Sequence, residues 1–104
     1  MSRKPRESSN PVATKEVRAA WHALPQHKLI DILSERIGTD GSVTTCNSAS
    51  RHIKIIGAER TVELYATTGT VNCAPQGKLK SCNYKNMMPE RAIERAITLA
   101  QKGW

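Results

Sequence analysis

The spacing of apolar residues changes twice along this chain, and each change predicts a different kind of secondary structure. Between positions 14 and 37 the apolar residues recur every three or four positions, as in amphipathic helices. Between 43 and 83 the period falls to two and β-branched residues become frequent, which favours strands. The helical period returns after Pro89. The sequence therefore predicts an α+β fold in the order helix, sheet, helix.

A proline divides the first helical segment. Thr14 is suited to the N-cap position, because its hydroxyl can accept a hydrogen bond from a free backbone N–H. Pro25 fits the start of a helix but not its interior, since it lacks an N–H and its ring clashes with the preceding turn. The two apolar faces comprise Val17, Ala20, Trp21 and Leu24 before the proline, and Leu29, Ile30, Leu33 and Ile37 after it. We therefore predict a kinked helix or a helical pair that ends at Gly38.

Short β-branched segments predict a four- to five-stranded antiparallel sheet. The strands are placed at 43–46, 51–56, 61–66, 70–73 and 78–83, with turns at 57–60, 67–69 and 74–77. Alternation directs one set of side chains toward the helices: Ile53, Ile55, Val62, Leu64, Val71 and Leu79. It places a second set on the other face: His52, Lys54, Glu63, Tyr65, Asn72, Lys78, Lys80 and Tyr84. We expect that second face to be at least partly open.

The chain has the size of a single domain. Its 104 residues and 38% hydrophobic content can support one core. A last helix is predicted from Pro89 to Gly103, with Ile93, Ala96, Ile97 and Ala100 on its apolar face. Residues 1–12 mix Pro, Ser, Asn and charged residues, a composition that buries too little surface to offset the entropy of ordering. We predict a flexible basic arm over 1–12 and a single α+β domain over 13–104.

The charge balance indicates what kind of partner the chain binds. Sixteen Lys and Arg against nine Asp and Glu give a formal charge of +7. Such an excess favours a polyanion or an acidic protein surface. Part of it lies in the N-terminal arm, at Arg3, Lys4 and Arg6. Another part lies between Leu64 and Pro89, a stretch without acidic residues that contains Lys78, Lys80 and Lys85.

The sequence lacks the common catalytic and metal-binding motifs. It contains no Gly-x-Ser-x-Gly, Walker loop, dinucleotide fingerprint or His-Glu-x-x-His. Its three cysteines and three histidines are irregularly spaced and include no Cys-x-x-Cys pair, which argues against both a zinc site and a disulfide framework. We interpret Cys46 and Cys73 as small core residues. These observations predict a protein that binds without catalysis and needs no metal or cofactor.

Targeting signals are also missing from the sequence. There is no apolar run long enough to span a membrane, and no apolar segment follows the N-terminal charges as in a secretion signal. An odd number of cysteines fits a reducing compartment. We therefore expect a cytoplasmic protein with no membrane partner.

The predicted open face combines aromatic and basic side chains. Tyr65 and Tyr84 can stack on nucleobases, while phosphates can be contacted by His52, Lys54, Lys78 and Lys80. Exposed Tyr and Lys are also common on solvent-facing strands because of their β-propensity and solubility, so an ordinary solvated surface is the alternative interpretation.

The segment Tyr65-Ala66-Thr67-Thr68-Gly69-Thr70-Val71, followed by a Lys-bearing strand and an Ala/Ile-rich helix, resembles a hairpin of short bacteriophage- and prophage-encoded proteins. The resemblance rests on Tyr65, Thr68 and Gly69 and covers the C-terminal half of the chain. It implies a phage accessory protein acting in a bacterial host cell. That class includes nucleic-acid-binding factors and inhibitors of host defence, and the resemblance carries over no catalytic residue.

Two functions follow as hypotheses. The first is a non-enzymatic accessory protein that binds single-stranded nucleic acid, or a nucleic-acid-loaded host complex. Its predicted binding residues are His52, Lys54, Tyr65, Lys78, Lys80 and Tyr84 on the sheet, with Arg3, Lys4 and Arg6 in the arm. The second is an anti-CRISPR-like inhibitor that blocks a host effector by protein–protein contacts. A small enzyme with an atypical site is disfavoured by the missing motifs.

Overall fold

The helices and the sheet occur in the predicted order in a computed structural model, which describes residues 14–47 and 51–104. The elements are helices Lys15–His22 (α1) and Gln26–Ile37 (α2), strands Ser42–Asn47 (β1), His52–Ile56 (β2), Thr61–Tyr65 (β3), Thr70–Cys73 (β4) and Cys82–Tyr84 (β5), and helix Pro89–Lys102 (α3). The strands form one antiparallel sheet in chain order. The predicted α+β arrangement is therefore confirmed. The arm predicted over 1–12 lies outside the described residues.

The helix boundaries follow the predicted capping residues. The hydroxyl of Thr14 accepts a hydrogen bond from the backbone N–H of Val17 at 3.2 Å. α1 ends before Pro25, which is the extended N-cap residue of α2, so the chain forms a helical pair. Gly38 ends α2 with a φ of 65°, a conformation that glycine adopts without steric strain. A short 3₁₀ turn, Gly38–Asp40, then leads into β1.

The three helices share one hydrophobic core with one face of the sheet. The inward strand residues alternate as predicted and are fully buried: Ile53, Ile55, Val62, Leu64 and Val71. The helices contribute Val17, Trp21, Leu29, Leu33, Ile37, Ala92, Ile93, Ala96, Ile97, Leu99 and Ala100. The indole N–H of Trp21 donates to the carbonyl of Met87 at 2.8 Å, so this large ring is buried without an unpaired donor.

The fifth strand differs from its prediction in both position and register. Residues 78–81, predicted as strand, lie in a loop closed by two backbone hydrogen bonds between Gln76 and Leu79. Leu79, predicted to point inward from a strand, is half-buried beside Gly103 instead. Tyr84 pairs with Val71 and therefore points to the core side of the sheet. A shift of one residue reverses the face of every side chain in a strand.

A buried arginine holds this loop in place. Arg60 is only 2% exposed, and its guanidinium donates to the carbonyls of Ala74 and Lys80 at 2.6 and 2.9 Å. A third bond reaches the carbonyl of Gly103 at 2.8 Å. Arg60 thus bonds both ends of this segment and holds it as a loop. Lys78 and Lys80 project from that loop and not from a strand. Their predicted positions on a strand of the open face were wrong.

The two cysteines predicted as core residues have different environments. Cys73 is buried, as predicted, and burial raises the pKa of its thiol. Cys46 is exposed, so its prediction was wrong. It lies where the register between β1 and β2 shifts, between Thr45 and Asn47. A bulge of this kind adds an unpaired residue and changes the direction in which it points.

Candidate nucleic-acid interface

The sheet face opposite the helices carries polar side chains and is covered by no described helix. One row of residues crosses all five strands: Thr44, Lys54, Glu63, Asn72 and Asn83. A neighbouring row contains His52, Tyr65 and Thr70. The structure therefore brings together three predicted site residues, His52, Lys54 and Tyr65.

His52 and Tyr65 form a stacked pair across β2 and β3. Their ring centroids are 4.3 Å apart and the ring planes differ by 11°. Glu63 orients both rings, because its Oε1 accepts from the His52 Nε2 at 2.7 Å and from the Tyr65 hydroxyl at 3.4 Å. The side chains of His52 and Glu63 are 21% and 33% exposed. The result is a preformed aromatic surface that solvent and a ligand can reach.

The environment of Tyr65 keeps its phenol neutral. Burial raises the pKa of Tyr65 above its ordinary value, and the charge of Glu63 together with the hydrogen bond to it raises that pKa further. Because tyrosine already titrates near pH 10, the ring carries no charge at neutral pH. It can therefore stack on a nucleobase without repelling the adjacent phosphate.

Lys54 supplies a positive charge on the same face as the stacked pair. It lies opposite Glu63 in the register of β2 and β3. Within residues 14–47 and 51–104, however, the carboxylate of Glu63 is hydrogen-bonded to His52 and Tyr65 and forms no ion pair with Lys54. The ammonium of Lys54 is therefore available to an external anion.

Lys78 and Lys80 lie at the opposite end of the sheet from the stacked pair. Tyr65 pairs with Thr70 at the start of β4, whereas both lysines belong to the loop that follows the end of β4. Both side chains are exposed. They can contact a long ligand that crosses the face, but they do not surround the aromatic pair as predicted.

Tyr84 does not belong to the open face. It lies on the helix side, where the guanidinium carbon of Arg95 is 5.2 Å from the centre of its ring. This cation–π contact packs the short edge strand β5 against α3. The prediction that Tyr84 stacks beside Tyr65 was therefore wrong. The arm residues of the predicted site, Arg3, Lys4 and Arg6, lie outside the described part of the chain.

Two asparagines on the open face were missed as candidate site residues. The Asn83 side-chain amide donates to the Asn72 Oδ1 at 3.0 Å, and the two residues pair across β4 and β5. Their remaining amide groups can hydrogen-bond to base edges. Asn72 was predicted on this face, but Asn83 was not, because the assumed register placed it on the other side.

Comparison of the chain with protein-family models, curated proteins and solved structures finds no significant match. The resemblance of the Tyr65 to Val71 segment to phage proteins therefore stays a hypothesis. The turn itself has a physical explanation: Gly69 has a φ of 70°, and its N–H donates to the Tyr65 carbonyl at 3.0 Å.

Two further findings concern the described residues as a whole. No helix among them is both long and apolar enough to cross a membrane. In the same part of the chain, no three His, Cys, Asp or Glu side chains are grouped so that they could hold a metal ion.

Proposed function

We propose that this chain is a non-enzymatic, phage-type accessory protein that binds single-stranded nucleic acid in the bacterial cytoplasm. The strand is either free or part of a host nucleoprotein complex. The observation that carries this proposal is the stacked His52–Tyr65 pair beside Lys54, on a sheet face that no described helix covers.

Each group on this face has a distinct role in the proposed complex. Nucleobases stack on the outer faces of the His52–Tyr65 pair, and Lys54 contacts the phosphate of the same nucleotide. The amides of Asn72 and Asn83 hydrogen-bond to the edges of a neighbouring base. This mode requires unpaired bases, since a duplex hides their faces within its own stack.

The proposed path of the nucleic acid runs across the sheet toward Lys78 and Lys80. Adjacent strands are about 4.8 Å apart and residues along a strand about 3.3 Å apart, so Tyr65 lies on the order of 15 Å from that loop. A strand of several nucleotides spans such a distance. The two exposed lysines then supply sequence-independent phosphate contacts at its far end.

A second candidate is an anti-CRISPR-like inhibitor, and Glu63 is the observation that favours it. Its carboxylate lies between the aromatic pair and the asparagine pair, where it repels phosphates. A protein partner can instead offer an Arg or Lys side chain to this carboxylate. The first proposal is preferred because the Glu63 carboxylate already accepts two hydrogen bonds from His52 and Tyr65.

A pair of tyrosine substitutions tests the proposal. Tyr65→Ala removes the stacking surface, and we expect an affinity loss of about 1–3 kcal/mol with little change in the salt dependence of binding. Tyr84→Ala is the matched control, because it makes the same change on the opposite side of the sheet. The measurement is a fluorescence titration of labelled single strands at several salt concentrations, with circular dichroism to verify that each variant is folded.

Two results would contradict the proposal. If the wild-type protein binds no single strand even at low salt, nucleic acid is not the ligand, and the inhibitor hypothesis takes first place. It is then tested by capture from host lysate with and without nuclease. If Tyr65→Ala and Tyr84→Ala weaken binding equally, the open face is not the binding surface.

A further inference from the structure

A pocket of about 620 Å³ lies between α1 and the turn that joins β3 to β4. Its apolar wall is formed by Ala19, Trp21 and Ala66, and its basic groups are Arg18, His22 and Arg51. Among the described residues, no carboxylate belongs to the lining. This volume is within the range of about 300–1,000 Å³ that is typical of small-molecule sites. The lining is complementary to a ligand with an apolar ring and a negative charge.

Arg51 has donors that no described residue uses. Its Nε donates to the Gln26 Oε1 at 3.1 Å, and its terminal nitrogens donate to the carbonyls of Trp21 (2.7 Å) and Leu24. A guanidinium has five N–H groups, so two of them form no hydrogen bond within residues 14–47 and 51–104 and can point to a ligand. The acceptors are neutral, and no carboxylate of the described residues forms an ion pair with Arg51. Its positive charge is thus not neutralised by the described fold.

The backbone of Arg51 is also unusual. Its φ of 54° lies in the left-handed region, which non-glycine residues rarely adopt. Such conformations persist where the surrounding contacts hold them, and they are concentrated at functional sites. Here the three hydrogen bonds to Gln26, Trp21 and Leu24 fix the guanidinium at the end of α1.

The pocket adjoins the stacked pair. Arg51 and Ala66 are the chain neighbours of His52 and Tyr65, and the Ala66 N–H donates to the Arg51 carbonyl at 3.1 Å. The bonds of Arg51 to α1 and α2 place its side chain on the helix side, where Ala66 is also buried, whereas the two rings lie on the open face. The pocket and the aromatic surface are therefore the two sides of the same end of the β2–β3 pair.

We propose that the pocket binds one phosphorylated nucleoside. The base lies in the depression bounded by Ala19 and Thr67, over the buried side chains of Trp21 and Ala66, and the phosphate contacts Arg18, His22 and the N–H groups of Arg51 that no described residue uses. This inference rests on the proposed function and deepens it, because the ligand is the phosphorylated terminal nucleotide of a strand whose other bases stack on His52 and Tyr65. A free nucleoside monophosphate offers the same chemistry, so the experiment separates the two sources.

The first arm of the test compares labelled oligonucleotides with a terminal phosphate, at either end, and with hydroxyl ends. For the wild-type protein we expect the phosphate to increase affinity on the order of tenfold, as for one or two charge-assisted hydrogen bonds. Arg18→Ala should abolish most of this gain. Arg36→Ala is the matched control, because Arg36 is an exposed arginine at the other end of α2 from Gln26, and it should retain the gain.

The second arm uses adenosine monophosphate alone and observes the two tryptophan indole N–H signals by NMR. The Trp21 signal should shift on titration, since this ring lines the pocket. The Trp104 signal serves as the internal control, because Trp104 is 75% exposed and does not line the pocket.

The outcomes separate this inference from the proposed function. If oligonucleotides bind equally well with and without a terminal phosphate, and the Trp21 signal does not shift, the pocket assignment is overturned. The sheet-face proposal then stays intact. Binding of the monophosphate without any binding of strands supports the pocket and overturns the sheet-face proposal. A phosphate gain that survives Arg18→Ala places the phosphate elsewhere and overturns the assignment.

Discussion

His52 and Tyr65 face each other across β2 and β3 with parallel rings, and both donate a hydrogen bond to the same carboxylate oxygen of Glu63. Stacking and hydrogen bonding therefore act on the same two side chains. Their contributions to strand binding and to stability can be separated, because the hydroxyl of Tyr65 can be removed without removing its ring.

Tyr65→Phe keeps the stacked ring and removes a hydrogen bond of 3.4 Å. We expect its affinity for single strands and its stability to change by less than about 1 kcal/mol, since a bond of this length is weak. His52→Ala removes one ring of the pair and should reduce strand affinity by about 1–3 kcal/mol. Fluorescence titration and thermal unfolding measure both effects. If Tyr65→Phe and His52→Ala lost strand affinity equally, the tyrosine hydroxyl, and not the stacked rings, would account for binding.

The phenol of Tyr65 should titrate at unusually high pH. In a Tyr84→Phe background Tyr65 is the only tyrosine, so phenolate absorbance reports its pKa alone. Burial and Glu63 raise this pKa, so we expect a midpoint above the ordinary value of about 10, and Glu63→Gln should lower it. A midpoint unaffected by Glu63→Gln would contradict the hydrogen-bond geometry.

The same shift predicts how the stability of the fold depends on pH. Because the folded state binds the Tyr65 proton more tightly than the unfolded state, the resulting stabilisation is complete below pH 10 or so and is lost as the pH rises through the folded pKa. Urea unfolding of the Tyr84→Phe protein across this alkaline range should show falling stability. The decline should be shallower in Glu63→Gln, where one cause of the shift is removed.

Arg60→Ala should strongly destabilise the protein. The change leaves the carbonyls of Ala74, Lys80 and Gly103 without their donors at a site that is almost fully buried. We expect a loss of about 3–5 kcal/mol, a large part of the stability of a domain this size. Arg91→Ala, on an exposed position of α3, should change stability by less than about 0.5 kcal/mol. Urea unfolding compares the two, and similar losses would show that the Arg60 bonds contribute little.

Gly69→Ala should cost more stability than Gly77→Ala. Both glycines have positive φ, at 70° and 59°, so each substitution introduces backbone strain of about 1 kcal/mol. At Gly69 the new Cβ would also lie 2.2 Å from the carbonyl oxygen of Met87, whereas nothing lies within 4 Å of a Cβ at Gly77. Thermal unfolding should show the difference. Equal shifts in Tm would mean that the segment around Met87 moves freely away from the turn.

The amino-acid sequence by itself determined the elements whose signals are local and repeated. Thr14, Pro25 and Gly38 mark helix boundaries through their own backbone chemistry, and each prediction was confirmed. Alternation over β2 and β3 correctly predicted the buried residues and the open positions of His52, Lys54 and Tyr65. These strands have five residues each, enough for the period of two to define a face.

Only the tertiary structure decided the end of the sheet and the pocket. β5 has three residues, too few for alternation to define its register, so its pairing with β4 determines that Tyr84 faces Arg95. Arg60 fixes the preceding loop through carbonyls that lie between 14 and 43 positions away in the chain. The pocket likewise unites Arg18 and Arg51, which lie on separate elements. Contacts between residues that are distant in the chain leave no pattern in the local sequence, because each contact depends on how all the elements pack.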